Sequence, residues 1–211
     1  MKKKELSISL LRLISMSMIV VCHILQFYGN ELAYWFNVGV QIFLIISGYL
    51  YGQKSRINSI EFYKKNFKKI LCDYWICLIV VLLFYQLYTP QYINFENVIK
   101  AIFGVSNGIP GLGHYWFIST ILICYLVTPM LSKYLNGKKD IVNFLFIICF
   151  NELIFHFLPY FDGAWINCYC ASFYYARMKE NIKNDKLFIA NVCSITILAN
   201  SIKILLVLEY K

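Results

Sequence analysis

The sequence predicts an all-α fold, a polytopic transmembrane bundle of about seven spans with its N-terminus in the cytoplasm. Three observations predict it. Hydrophobic residues make up 60% of the 211-residue chain and charged residues only 15%, whereas water-soluble domains hold roughly 45–50% apolar residues. Apolar runs of about 20 residues, the length that crosses a hydrocarbon core, recur along the whole chain. Lysine and arginine gather in every second gap between those runs. The composition also excludes disorder, because so much apolar surface cannot stay solvated. Four prolines and ten glycines exclude collagen-like and low-complexity repeats.

The runs cover residues 7–28, 34–53, 70–89, 115–132, 141–159, 163–176 and 187–208, of which the sixth is short for a crossing. Lys2, Lys3 and Lys4 before the first run mimic a signal peptide. Arg12 inside the run, the lack of a small-residue cleavage site and the further spans behind it predict a retained first helix. The second gap holds Lys54, Arg56, Lys64, Lys65, Lys68 and Lys69. The fourth holds Lys133, Lys138 and Lys139, and the sixth Arg177, Lys179, Lys183 and Lys186. The alternate gaps hold Lys100 alone, and Lys211 ends the chain. This bias is the positive-inside pattern, which puts the N-terminus and the basic gaps on the cytoplasmic side. It accounts for the net charge of +9 through contact with membrane lipid rather than nucleic acid.

Residues 90–114 form the longest outside loop, with turn signals at Asn107-Gly108 and Pro110-Gly111. The loop is too small for a domain, so residues 1–211 read as one membrane domain. The eight cysteines lie mostly in apolar runs, with no CxxC pair and one CxC, Cys168 and Cys170. They read as small packing residues, with neither a disulfide framework nor a metal site.

Chemistry must then come from polar groups in or beside the helices, where each is costly. Arg12 and His23 share the first run, about 20° apart in helical phase and roughly 16 Å apart along the axis. Ser15 and Gln26 fall near the same line, so the four make a polar stripe. Taken singly, Arg12 fits a side chain snorkelling to headgroups, and His23 fits a helix–helix hydrogen bond. Taken together, they fit a guanidinium that holds a phosphate and an imidazole, some three turns deeper, that takes a proton from a hydroxyl. In the fifth run Glu152 and His156 are four residues apart and share a face, either as a tuned imidazole or as a simple pair. Asp73 suits the start of a helix. Asn200 and Lys203 in the last run carry no pattern.

Several motifs stand in one order. Arg12 and His23 are followed by Val38-Gly39-Val40-Gln41-Ile42-Phe43-Leu44-Ile45-Ile46-Ser47-Gly48-Tyr49-Leu50. A basic loop follows, Phe62-Tyr63-Lys64-Lys65-Asn66-Phe67-Lys68-Lys69-Ile70, leading to Tyr74-Trp75. Then comes His114-Tyr115-Trp116-Phe117-Ile118-Ser119, continuing through Tyr125 to Pro129. Over Arg12 to Pro129 the chain resembles the acyltransferase-3 family of integral membrane acyltransferases; beyond Ile141 the likeness is one of hydropathy.

The resemblance implies transfer of an acyl group, usually acetyl, from acyl-CoA to a hydroxyl of a cell-surface or lipid-linked polysaccharide of a bacterial envelope. No tightly bound cofactor is implied; acetyl-CoA is the donor. The resemblance makes His23 essential, implicates Arg12 beside it, and places Trp116 at the substrate. The family often carries an R-x-x-R pair in the basic loop. Here the corresponding residues are Asn66 and Lys69 or, in another register, Lys65 and Lys68, so Lys65, Lys68 and Lys69 are the candidate donor contacts, with Glu152 and His156 as further substrate contacts. Family members typically have several more spans, so the chain corresponds to the N-terminal two-thirds of such a domain. It is then an inactive truncated fragment or a compact variant completed by self-association. A transport or flippase component for envelope glycans also fits the hydropathy, but it predicts paired halves with broken helices, and these are not seen in the sequence.

Overall fold

The computed structural model describes residues 2–55, 57–104, 109–135, 140–157 and 163–178. Among them there is no strand. Eight helices follow one another: α1 (Lys2–Phe27), α2 (Ala33–Phe36), α3 (Val38–Gly52), α4 (Ser59–Tyr88), α5 (Phe95–Ile102), α6 (Trp116–Tyr134), α7 (Asp140–Phe157) and α8 (Gly163–Met178). Among the described residues four stretches are long and apolar enough to cross a membrane: Leu6–Phe27, Ala33–Gly52, Ser59–Tyr88 and Trp116–Tyr134. Helices α7 and α8 coincide with the fifth and sixth runs, and the seventh run, 187–208, lies outside the described residues.

Two features add to the sequence reading. Helix α4 starts at Ser59, so the basic stretch expected as a loop is helical and continuous with its span. The reason is local: the Asn58 side chain caps the helix, accepting from the backbone N–H groups of Ile60 at 3.2 Å and Glu61 at 3.5 Å. Thirty residues make a helix about 45 Å long, more than a hydrocarbon core of about 30 Å, so its basic first turns project beyond it. The outside loop is also built rather than irregular. Asn94 caps α5 through the N–H of Asn97 at 2.8 Å. Lys100 hydrogen-bonds Glu96 and holds its carboxyl below the usual carboxylate range. Ala101, Ile109 and Leu112 pack on Tyr74 and Leu78 of α4. The Tyr74 hydroxyl donates to the Ala101 carbonyl, and the Tyr85 hydroxyl to that of Pro110.

Contacts give the directions of the helices. Ser15 meets Gly39 and Cys22 meets Ala33, so α1 runs antiparallel to the second span. Tyr63 donates to the Leu126 carbonyl and Cys77 approaches Tyr115, so α4 and α6 are antiparallel. Phe144 stacks on Tyr174 and Asn151 bonds Asn167, so α7 and α8 are antiparallel too. Helices α3 and α8 are parallel, with Gly48 against Ser172 and Gly52 against Ala176. The alternation brings Lys54, the start of α4, Lys133 and Arg177 to one end. Arg177 ties that end together by donating to the carbonyls of Lys54, Ser55 (3.0 Å) and Ser132 (3.4 Å), the C-terminal ends of α3 and α6.

The core is the seam between α3, α6 and α8. Leu44, Ile121, Cys124, Leu131, Leu135, Ile166, Tyr169, Cys170 and Phe173 are buried together. At its centre Thr128 Oγ1 donates to the Cys124 carbonyl at 2.7 Å and lies 2.5 Å from the Tyr169 hydroxyl. The α3–α8 contact needs glycine. A Cβ on Gly48 would collide with Ser172 Oγ and the Tyr169 carbonyl, and one on Gly52 would lie 2.8 Å from the Ala176 Cβ. Two small-xxx-small pairs, Gly48/Gly52 and Ser172/Ala176, thus let the backbones approach. Replacing Gly48 by Ile is expected to destabilise the bundle by about 3 kcal/mol, the upper part of the range for overpacking. Thermal unfolding in detergent, against lipid-facing Ile79→Leu as control, checks this; an unchanged midpoint would contradict the seam.

Candidate active site

Helix α1 supplies the first two candidates. Ser15 is fully buried, and its hydroxyl donates to the Gly39 carbonyl at 2.6 Å. It therefore faces α3 and leaves the polar stripe that the helical phase suggested. Arg12 and His23 sit about 60–80° further round the helix, on the flank of that interface, and both are exposed. His23 Nδ1 lies 3.0 Å from Gln26 Oε1, one turn on. Since the amide oxygen accepts, Nδ1 is the donor in this contact.

Tyr51 of α3 stands in a cluster that the sequence did not disclose, with Phe62 of α4 and Tyr125 of α6. The Tyr51 hydroxyl donates to Asn66 Oδ1 on α4 at 2.7 Å, and Asn66 Nδ2 donates to the Phe62 carbonyl at 2.8 Å. The rings of Tyr51, Phe62 and Tyr125 meet edge to face, with centroids 5.0, 5.6 and 5.9 Å apart. Asn66 is thus turned into the bundle, while Lys65, Lys68 and Lys69 are exposed on the surface of α4. The structure brings Asn66, and not these three lysines, to the Tyr51 cluster. A Tyr or Asn within or next to an apolar run was the available signal.

The remaining candidates lie towards the other end. Trp116 opens α6 and packs against Trp165 of α8, with centroids 5.3 Å apart. Glu152 on α7 accepts from Asn167 Nδ2, and Asn167 Oδ1 accepts from Asn151 at 2.6 Å. The partner of Glu152 seen here is therefore Asn167. His156 follows one turn later in α7, and its side chain lies outside the described residues, as does that of His114. Among the described residues no group of His, Cys, Asp and Glu could hold a metal ion.

These features define a helical membrane protein whose polar groups sit at two levels of one bundle, with its cations collected at one end. The acyltransferase-3 family model, described as an acyltransferase domain, matches residues 5–211, and the chain belongs to this family. Curated relatives include O-acetyltransferase OatA of Staphylococcus aureus strains NCTC 8325 / PS 47, COL and MRSA252. Each is 28% identical over 152 aligned residues, covering 57% of this chain and 25% of the relative. The chain spans well under two thirds of the length of these relatives. No solved structure matches it.

The exposure of the lysines leads to a prediction. Lys65→Gln, Lys68→Gln and Lys69→Gln are each expected to change stability by less than about 0.5 kcal/mol. Any effect on capture of an anionic ligand is expected to fade as salt rises, because exposed charges are screened. Unfolding midpoints and ligand titrations at low and high ionic strength check both; a large, salt-independent loss in any of the three would place that lysine inside the site.

Proposed function

We propose that the chain is a membrane O-acyltransferase of a bacterial cell membrane. It moves an acyl group, acetyl in the first instance, from acyl-CoA to a hydroxyl of a cell-surface or lipid-linked polysaccharide. The observation that carries the reading is Arg12 and His23 on one flank of α1, three turns apart, in a chain of this family. The name of the S. aureus relatives, O-acetyltransferase, supports acetyl as the group moved. The basic end faces the cytoplasm by the positive-inside rule, which is where acyl-CoA is available.

Each group then has a task. Arg12 meets the phosphate-bearing end of the donor with its planar fork of donors. His23 Nε2 accepts the proton of the acceptor hydroxyl as the oxygen attacks the thioester carbonyl. The C–O bond forms, the C–S bond breaks, and the CoA thiolate leaves and takes up a proton. Gln26 fixes the tautomer and the ring orientation on which this depends. Low-dielectric surroundings strengthen contacts to the developing oxyanion. Trp116 and Glu152, at the opposite end from the cations, belong to the acceptor side, and His156 on α7 is a further candidate there. The exposed lysines collect the donor from solution by long-range attraction.

His23→Ala is expected to lower acyl transfer about 10²–10⁴-fold, the usual worth of a general base. Ester-bound acetate on surface polysaccharide should return to a deletion strain with the wild-type chain and not with His23→Ala at equal membrane abundance. Wild-type acetate levels from the variant would remove His23 from the mechanism. Arg12→Lys keeps the charge and loses the bidentate fork, so the KM for acetyl-CoA is expected to rise with the amount of folded protein unchanged. An unaltered KM would sink the phosphate assignment.

A further inference from the structure

The chain between α4 and α6 folds back along α4 instead of projecting from its outer end. Exposed Lys64, Lys65, Lys68 and Lys69 mark the cytoplasmic edge of α4. Beyond them Ile76, Ile79, Val80, Leu83, Phe84 and Leu87 are exposed and apolar, so the stretch 70–88 is the part that lies in hydrocarbon. Tyr74 stands fourteen residues before the end of α4, about 21 Å below it along the axis. Its hydroxyl donates to the carbonyl of Ala101, the last residue but one of α5. The chain then climbs, since the Pro110 carbonyl accepts from Tyr85, and descends again to Tyr115. Tyr115 meets the Tyr74 ring edge to face at 5.2 Å and lies beside Cys77.

The backbone of this segment is satisfied from within the protein. The carbonyls of Ala101, Phe103, Gly104 and Pro110 each accept from a hydroxyl of a span, those of Tyr74, Ser119 (2.9 and 3.1 Å) and Tyr85. Asn94 caps the start of α5, and Asn97 Nδ2 donates to the Tyr92 carbonyl at 3.1 Å. A loop in water needs no such provision, because solvent meets its carbonyls. Irregular backbone at membrane depth does need it. Helix α5 has three faces. Ala101 is buried against Tyr74 and Leu78. Glu96 and Lys100 pair with each other, as charges within a membrane must. Phe95, Ile99 and Ile102, with Phe103 after them, form an exposed apolar face.

We infer that residues 90–104 and 109–115 belong to a re-entrant segment that enters the membrane from the outside, with Phe95, Ile99, Ile102 and Phe103 against lipid acyl chains. Lipid is the partner because this face lies at the depth of the exposed apolar residues of α4 and has the same chemistry. The outer end of α6 is thereby set into the membrane, about 16 Å below that of α4, since Tyr115 lies beside Cys77. An acceptor that meets Trp116 then has to leave the water phase.

The test uses the full chain in liposomes with a nitroxide carried on p-acetylphenylalanine, whose ketone is labelled without involving the native cysteines. Labels replace Phe103, Ile76, Leu87 and Lys65 one at a time, and power saturation with oxygen and a water-soluble nickel chelate reads their depth. The label at Phe103 is expected within about one helical turn of the depth at Ile76, and about 16 Å deeper than at Leu87. Nickel relaxation as strong as at Lys65, or a depth equal to that at Leu87, overturns the re-entrant segment. Weak relaxation by both reagents means that protein covers Phe103, and overturns the lipid contact. Unlabelled Phe103→Asp and Phe103→Leu decide the matter if the label prevents folding. Phe103→Asp is expected to shift the unfolding equilibrium at least about tenfold towards the unfolded side, as a carboxylate in an apolar span does. Phe103→Leu should stay within about twofold of wild type. Equal stability of the two variants overturns the inference, because a loop in water tolerates either residue.

Discussion

The close approach of α3 and α8 is the contact on which the rest of the bundle depends. Between lipid-exposed helices there is no hydrophobic gain on association, so stability has to come from packing and polar contacts. Gly48 and Gly52 supply the packing by letting the α8 backbone come nearer than any side chain would allow. The same seam sets the azimuth of α3. With its glycine face on α8, Tyr51 is directed at α4 and α6, and Gly39 receives Ser15 of α1. A rotation of α3 would displace both the aromatic cluster and the seat of α1. The helix is apolar all round, as expected of one that is covered on several sides.

Helix α1 then works as a ruler. It is anchored on α3 through Ser15 and Cys22, and its flank carries Arg12 and His23 at a separation set by helix geometry alone. On the proposed reading, a donor with charge at one end and a thioester at the other has its two ends met by one rigid element. Rigidity of this kind is what positioning requires, since a loop-borne pair would have to be ordered at each encounter. Arg177 contributes from a distance by joining the ends of α3 and α6 beside α8, which keeps the mouth of the bundle together.

The candidate site was partly legible in the sequence. Arg12 and His23 could be found because a charge and an imidazole in one apolar run are conspicuous and their phase follows from 3.6 residues per turn. Ser15 was assigned to the same stripe because phase does not say which side of a helix meets a neighbour; the structure gives it to the α3 interface. Among Lys65, Asn66, Lys68 and Lys69, charge drew attention to the lysines, yet the uncharged Asn66 is the one turned inward. Lysines at the start of a long helix gain more from water and headgroups than from burial, whereas an amide can be buried once both of its ends are bonded. Glu152 posed the same problem: its partner Asn167 comes from the next helix, and pairing across helices leaves no local trace.

Taken by itself, the sequence determined the all-helical class, the places of the four stretches that are long and apolar enough to cross a membrane among the described residues, and the gathering of cations in alternate gaps. These depend on composition, run length and the order of residues along one chain. It did not determine that α4 begins eleven residues early, because a single cap at Asn58 decided the matter. Nor did it determine which polar groups face one another, since that depends on the rotation of each helix about its axis. Only the tertiary structure decided that rotation, and it did so where glycine allows two backbones to touch.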